Sequence, residues 1–156
     1  MFNHTRTSPM PVLLPRREAL VPQQTHPIVG GSATPQPASI YAVDDVPGLT
    51  ELYSSLLGEV GYVARTFNHR AKALAALKTD SRKPALLITN YRGSSMPISD
   101  FMRACRCIHP SLRILMASGF AQSEMKLFGV KPDRFIEKPF TPDEFHEAVK
   151  SVLDAD

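Results

Sequence analysis

One short stretch narrows the folds open to this chain more than any other. Pro84, Ala85, Leu86, Leu87, Ile88, Thr89 and Asn90 form an apolar run that opens at a proline and closes on a loop, Tyr91, Arg92, Gly93, Ser94 and Ser95. A run without polar alternation fits a strand covered on both faces, as in a parallel sheet. In an open α/β sheet, ligands sit just beyond the carboxyl ends of the strands, so Asn90 is expected to reach into whatever site the protein has.

The rest of the chain supplies partners for that strand. Residues 39–43 read as a first strand, and Asp44 and Asp45 follow it. Pro47 suits the opening turn of a helix. Leu49, Leu52, Tyr53, Leu56, Leu57 and Val60 then recur at helical spacing as its inner stripe, with Gly58 and Gly61 weakening and ending it. Residues 62–67 read as a second strand. Asn68 is expected to cap a second helix running to about Lys78, with Ala71, Leu74, Ala75 and Leu77 facing inward and His69 and Arg70 in an exposed first turn. Ile98, Phe101, Met102, Cys105 and Ile108 mark a third helix stopped by Pro110, with His109 solvated beside the stop.

Residues 113–118 form a fourth strand ending in Ser118, and residues 121–128 a short helix closed by Gly129. Residues 134–138 form a fifth strand that runs into Pro139. The last helix has the clearest local signature. Thr141 and Glu144 make a capping box, Pro142 takes the first helical position, and Phe140 can staple against Phe145. Phe145, Ala148, Val149, Val152 and Leu153 form its buried face, with His146 on the other side. Five strands alternating with five helices through short links give an α/β, doubly wound, five-stranded parallel sheet with helices on both faces. Right-handed crossovers leave few strand orders, of which the flavodoxin-like 2-1-3-4-5 suits a chain this small.

Composition bounds the function classes. The chain has 156 residues, 43% apolar and 21% charged, enough for one ordinary domain with a real core. Seven of its fourteen prolines precede Ile40, and residues 1–38 show no sustained apolar period, so they read as a disordered tail before a domain at 39–156. Val12, Leu13 and Leu14 are too short a run for a secretory signal, and no run approaches membrane-spanning length, which makes the cytoplasm the expected compartment. Cys105 and Cys107, two apart, suit neither a zinc pair nor a redox motif and read as buried or half-buried thiols. The net charge of +3 divides into +2 for the tail and +1 for the rest, too little for a nucleic-acid binder.

The polar residues at the strand ends are Asp44, Asp45, Asn90, Ser118 and Lys138, and the expected strand order makes their strands neighbours. With Val43-Asp44-Asp45, Ile88-Thr89-Asn90, Met116-Ala117-Ser118-Gly119 and Phe135-Ile136-Glu137-Lys138-Pro139-Phe140 in this order, residues 39–154 resemble the receiver domain of two-component response regulators. The resemblance implies a phosphorelay signalling module and not an enzyme. It also implies an acidic pair, Asp44 and Asp45, for Mg²⁺, the Ser118 hydroxyl and Lys138 as contacts of a phosphoryl group, Phe135 as an aromatic switch, and a cis peptide before Pro139. The partners it implies are a histidine kinase or a downstream effector, with a homodimer through the fourth-helix to fifth-helix face as a further option.

The sequence departs from that pattern where the family carries its phosphoaccepting aspartate, because this chain has Asn90. An amide oxygen bears no charge and its nitrogen lone pair is delocalised, so Asn90 cannot form an acyl phosphate. Losing one carboxylate also weakens Mg²⁺: at an effective dielectric of ~20, one unit charge ~4 Å from another is worth ~4 kcal/mol before desolvation. Lys138 is then expected to compensate the acid pair. The Met96-Pro97 pair is displaced relative to the family's loop, which argues against the Arg92 carbonyl completing a metal site.

The leading expectation is a phosphorylation-independent receiver-like module that binds a protein partner. A second reading keeps a phosphorelay role with Thr89, Asp44 or Asp45 as acceptor, although alternation along the strand turns Thr89 away from Asn90. A third is a small Mg²⁺-dependent phosphohydrolase on a similar sheet, against which stand the adjacent acids and the lack of a glycine-rich phosphate loop after the first strand.

Overall fold

Uninterrupted apolar strands need cover on both faces, and the chain provides it by sending alternate residues of its central strands to two separate cores. The computed structural model describes residues 36–93, 95–127, 129 and 131–155. All but the last three positions of the expected disordered tail lie outside the described residues, as does the expected end of the fourth helix at Phe128.

The elements run β1 (Ser39–Val43), α1 (Pro47–Glu59), β2 (Val63–Phe67), α2 (Arg70–Thr79), β3 (Leu86–Thr89), α3 (Ile98–Ile108), β4 (Arg113–Ser118), α4 (Gln122–Leu127), β5 (Arg134–Glu137) and α5 (Pro142–Leu153). Every strand pair is parallel, and the order is β2-β1-β3-β4-β5. The doubly wound, flavodoxin-like sheet expected from the sequence is therefore the fold observed.

One core gathers Ile40, Ala42, Leu86, Ile88, Leu115 and Ala117 of the central strands against Tyr53 and Leu57 of α1 and Phe145 and Val149 of α5. The other gathers Tyr41, Val43, Leu87, Ile114 and Met116 against Leu74 and Leu77 of α2 and Phe101, Met102 and Cys105 of α3. Period-2 alternation thus assigns each strand side chain to one helix layer or the other. The register sets Val43 opposite Thr89, Thr89 opposite Met116, and Ser118 opposite Glu137, so the strands end nearly level.

The α5 signature forms as expected. The Thr141 side chain accepts from the Glu144 N–H, and the Glu144 carboxylate accepts from the Thr141 N–H at 2.7 Å. Phe140 stacks on Phe145, centroids 5.4 Å apart, and Phe145 stacks on Tyr53 of α1 at 5.5 Å with rings 5° from parallel. This ladder ties α1 to α5 under the carboxyl ends of the strands.

Several local expectations need correction. Leu52 and Val60 are 42% and 44% exposed, because the buried arc of α1 is narrower than six apolar positions. Asn68 does not cap α2. The cap is His69, without a side-chain bond, while Asn68 accepts from Lys72. The inner face of α2 is Ala73, Leu74, Ala76 and Leu77, with Ala71 and Ala75 outside, since alanine suits either face and does not set helix phase. Arg70, expected in an exposed turn, is buried. Cys105 is buried as expected, but Cys107 is exposed. His109, expected to be solvated, is half-buried with its ring on the Pro84 carbonyl at 3.1 Å, and His146, expected on the side of α5 away from its buried face, bonds the Leu56 carbonyl at 2.7 Å. Gln36 and Pro37, read as tail, are held by the Arg82 guanidinium.

Phe145 is fully buried between two rings, so Phe145→Ala should cost about 3–5 kcal/mol in urea unfolding. At the outer edge of the sheet, hydrogen bonds from Tyr41 and Arg65 hold the Asp80 carboxyl below its ordinary value. A depressed folded pKa gives stability that is present above the unfolded value of about 4 and lost as pH falls through the lower folded value. The stability gap between the protein and Asp80→Asn should therefore be open at pH 7 and narrow steadily below pH ~4 in denaturant titrations.

Candidate functional site

Four strands end at one edge of the sheet, and the residue after each of β1, β3 and β5 is polar. Asp44 follows β1, Asn90 follows β3, Lys138 follows β5, and Ser118 closes β4. Together with Asp45, Tyr91, Arg92 and Phe120, these residues line one open cavity of about 350 Å³. The five polar strand-end residues picked out in the sequence are thus neighbours in space.

Asp44 is 1% exposed, an expensive place for a carboxylate unless it is paired. Its Oδ1 accepts from the Val46 N–H at 3.1 Å. Its Oδ2 accepts from the Tyr53 hydroxyl at 3.2 Å and from the Lys138 Nζ at 2.8 Å. Burial, and then the adjacent Asp44 charge, push the Tyr53 hydroxyl well above its ordinary value, so it stays a donor. Lys138 does compensate the acid pair, and it does so through Asp44 alone.

Asp45 is exposed and meets a different partner. The Asn90 amide nitrogen donates to its Oδ1 at 2.6 Å. On its other side lies Gly93, whose φ of +83° suits glycine and where an added Cβ would sit 2.3 Å from the Asp45 carboxyl carbon. The backbone of the β3–α3 loop therefore comes directly against the carboxylate.

The loop is fixed from beneath by Arg70, the first residue of α2. Its Nη1 donates to the Met96 carbonyl at 2.7 Å, and its Nη2 to the carbonyls of Asn90 at 2.7 Å, Tyr91 at 2.8 Å and, longer, Arg92 at 3.4 Å. Above the cavity the Arg92 guanidinium lies 4.4 Å from the Phe120 ring, and Tyr91 meets the same ring edge-on at 5.6 Å. Ser118 is buried, and its hydroxyl oxygen accepts from the Phe120 N–H at 3.2 Å. Thr89 is fully buried, and its hydroxyl donates to the Asn90 carbonyl. Phe135 is half-buried and packs on the α2–α3 core, outside the cavity lining. The Lys138–Pro139 peptide is cis.

The donor set is weakened for Mg²⁺. Both Asp44 oxygens are taken, one by an ammonium. Asn90 presents its N–H and not an oxygen toward Asp45, and the Arg92 carbonyl faces Arg70. Mg²⁺ keeps several waters and is held through one or two carboxylates, and of this pair the exposed Asp45 is the one not tied to an ammonium.

Sequence reasoning missed Tyr53, Arg70 and Gly93. Tyr53 was read as core, but a buried phenol needs a hydrogen-bond partner, which marks it as a neighbour of some polar group. Arg70 left a fainter signal: a cation at the start of a helix whose first turn has no acid is electrostatically misplaced unless something else holds it.

Comparison with known proteins follows the same line. No family model matches the chain. The nitrogen assimilation regulatory protein NtrX of Azorhizobium caulinodans is 32% identical over 108 residues, which is 67% of this chain and 23% of that protein. A response regulator receiver protein of Sinorhizobium medicae is 30% identical with a TM-score of 0.67, over 77% of this chain and 97% of that one. Chemotaxis protein CheY4 of Vibrio cholerae is 25% identical with a TM-score of 0.68, over 75% of this chain and 99% of that one. The chain spans 23% of the length of that NtrX and 50% of the length of another curated relative, the probable transcriptional regulatory protein TcrX of Mycobacterium tuberculosis.

Lys138→Met should leave Asp44 buried with two neutral donors and destabilise the domain by about 2–3 kcal/mol. The double variant Asp44→Asn, Lys138→Met removes both charges and should recover at least half of that loss in the same unfolding assay.

Proposed function

The chain belongs to the response regulator receiver family, and from that premise we propose that it is a phosphorylation-independent member that signals by binding a protein partner. The observation that carries the proposal is the Asn90 amide donating to Asp45 at 2.6 Å, beside an Asp44 already neutralised by Lys138. In this reading Asn90 occupies the phosphoacceptor position, Asp44 and Asp45 are the remnant of the metal pair, and Ser118, Lys138 and Phe135 keep the positions of the phosphoryl contacts and the aromatic switch.

The pocket then has no use for a phosphoryl group. A carboxylate nucleophile would be repelled by Asp45 at this distance unless a cation lay between them, whereas an amide bonds to it directly. The arrangement is satisfied without metal or phosphate, and a domain in one such state acts by the surface it presents. That surface is taken to be the face of α4, β5 and α5, where β5 forms a sheet edge and Phe135 is half-buried. A histidine kinase or a downstream effector is the class of partner, and a second copy of the chain is the alternative. The domain is taken as residues 39–156, and among the described residues no helix is long and apolar enough to cross a membrane.

Burial weighs against a relay through Thr89 or Asp44, whereas Asp45 is exposed and accepts from the Asn90 amide. Thr89 is fully buried with its hydroxyl occupied, and Asp44 is held by three donors.

Incubation with radiolabelled acetyl phosphate and Mg²⁺ tests the proposal. The native chain should stay at background, while Asn90→Asp should gain label that hydroxylamine removes. Stoichiometric labelling of the native chain would end the proposal.

A further inference from the structure

Arg70 is the largest fully buried side chain in the described domain, 2% exposed, and it sits in an unfavourable place for a cation. It is the first residue of α2, at the positive end of the helix dipole, in a first turn without an acidic residue. Its Nε has no partner among the described residues. A buried guanidinium in that position must be held by something stronger than helix propensity. What holds it is the β3–α3 loop, whose carbonyls at Asn90, Tyr91 and Met96 lie 2.7–2.8 Å from its terminal nitrogens.

Those carbonyls belong to the segment that carries Asn90 and Gly93 against Asp45. Burial lowers the Arg70 guanidinium from its ordinary value, and the charges of Asp45 and Asp44 act in the opposite direction. Arg70 therefore feels the acid pair from below the loop as Lys138 feels it from the side. Lys138 meets the pair directly at Asp44, Arg92 lines the same cavity, and Arg70 holds the loop backbone beside it, so a divalent ion would enter a site that already carries fixed positive charge.

We propose that Arg70 is a built-in cation that takes over two tasks of a divalent ion here, adding positive charge beside the acid pair and fixing the β3–α3 loop, so that the loop keeps one arrangement without metal. The inference rests on reading Asp44 and Asp45 as a former metal pair, but it concerns the loop and the charge, not the absence of a phosphoacceptor. Arg70 is a positioning residue: it touches the loop backbone and acts on the acids through it. The planar fork matters as much as the charge, because one guanidinium reaches carbonyls at both ends of the loop and a point-charge ammonium cannot.

The test uses the full chain with two readouts. In hydrogen exchange, Arg70→Met and Arg70→Lys should each speed exchange of the amides at 91–96 by at least tenfold while the α5 amides keep native protection. In Mg²⁺ titration calorimetry on the Asn90→Asp background, adding Arg70→Met should tighten Mg²⁺ by at least tenfold, and adding Arg70→Lys, which keeps the charge, should leave the affinity within about twofold. A purely structural arginine would not separate the two variants in this way. Native exchange at 91–96 in both variants, or equal Mg²⁺ affinity with and without Arg70, overturns the proposal. If Arg70→Met loses protection throughout the domain, Arg70→Lys decides: faster loop exchange with unchanged Mg²⁺ affinity upholds it, and native loop exchange overturns it. Acetyl phosphate labelling, which tests the function proposed above, is independent of both readouts.

Discussion

A carboxylate carried to 1% exposure at the end of β1 sets the terms for everything around it. Isolated in such a place, Asp44 would cost several kcal/mol or give up its charge. It is accommodated because three donors reach it from three parts of the chain: the Val46 N–H from its own turn, the Tyr53 hydroxyl from α1, and the Lys138 ammonium from beyond β5. Each is itself held in place. Tyr53 is clamped by the ring of Phe145, which stacks in turn on Phe140 beside the capped start of α5. Packing of the α1–α5 layer and charge compensation at the sheet edge are therefore one mechanical unit.

The second acid obeys a different logic. Asp45 is exposed, so water shares its charge, and its protein contacts come from the loop after β3. Asn90 donates to it, Gly93 lies against it with room for no side chain, and Arg70 draws that loop from below. An amide beside Asp45 replaces repulsion with a hydrogen bond, and a guanidinium under the loop supplies positive charge that stays put. In the proposed reading, these substitutions offset the negative charge that a metal would answer, and with an amide at position 90 no carboxylate is left there to accept phosphate.

The strands and their order were legible because β1, β3 and β4 are short apolar runs bounded by turn residues, and a parallel sheet covered on both faces buries such runs. The convergence of Asp44, Asp45, Asn90, Ser118 and Lys138 followed from that order, since strand ends at one edge of a five-stranded sheet have nowhere else to go. Helix phase was less legible. Alanine at 71, 73, 75 and 76 fits either side of α2, and the choice fell to the packing of Leu74 and Leu77. The contacts of the histidines at 109 and 146 were not legible, since the carbonyls that bind them come from residues 25 and 90 positions away.

Local chemistry was thus settled by the residues themselves: apolar runs chose the strands, Thr141 and Glu144 capped α5, and an amide at position 90 can bond to an acid but cannot serve as an acyl-phosphate nucleophile. Where each charge finds its counter-charge was settled only by the tertiary structure. Arg70 meets carbonyls 20 to 26 residues away, and Lys138 meets an acid 94 residues away. Such pairings depend on the sheet order and the level of the strand ends, and no local pattern in the chain encodes them, because the energy of a buried charge is decided by what folding brings beside it.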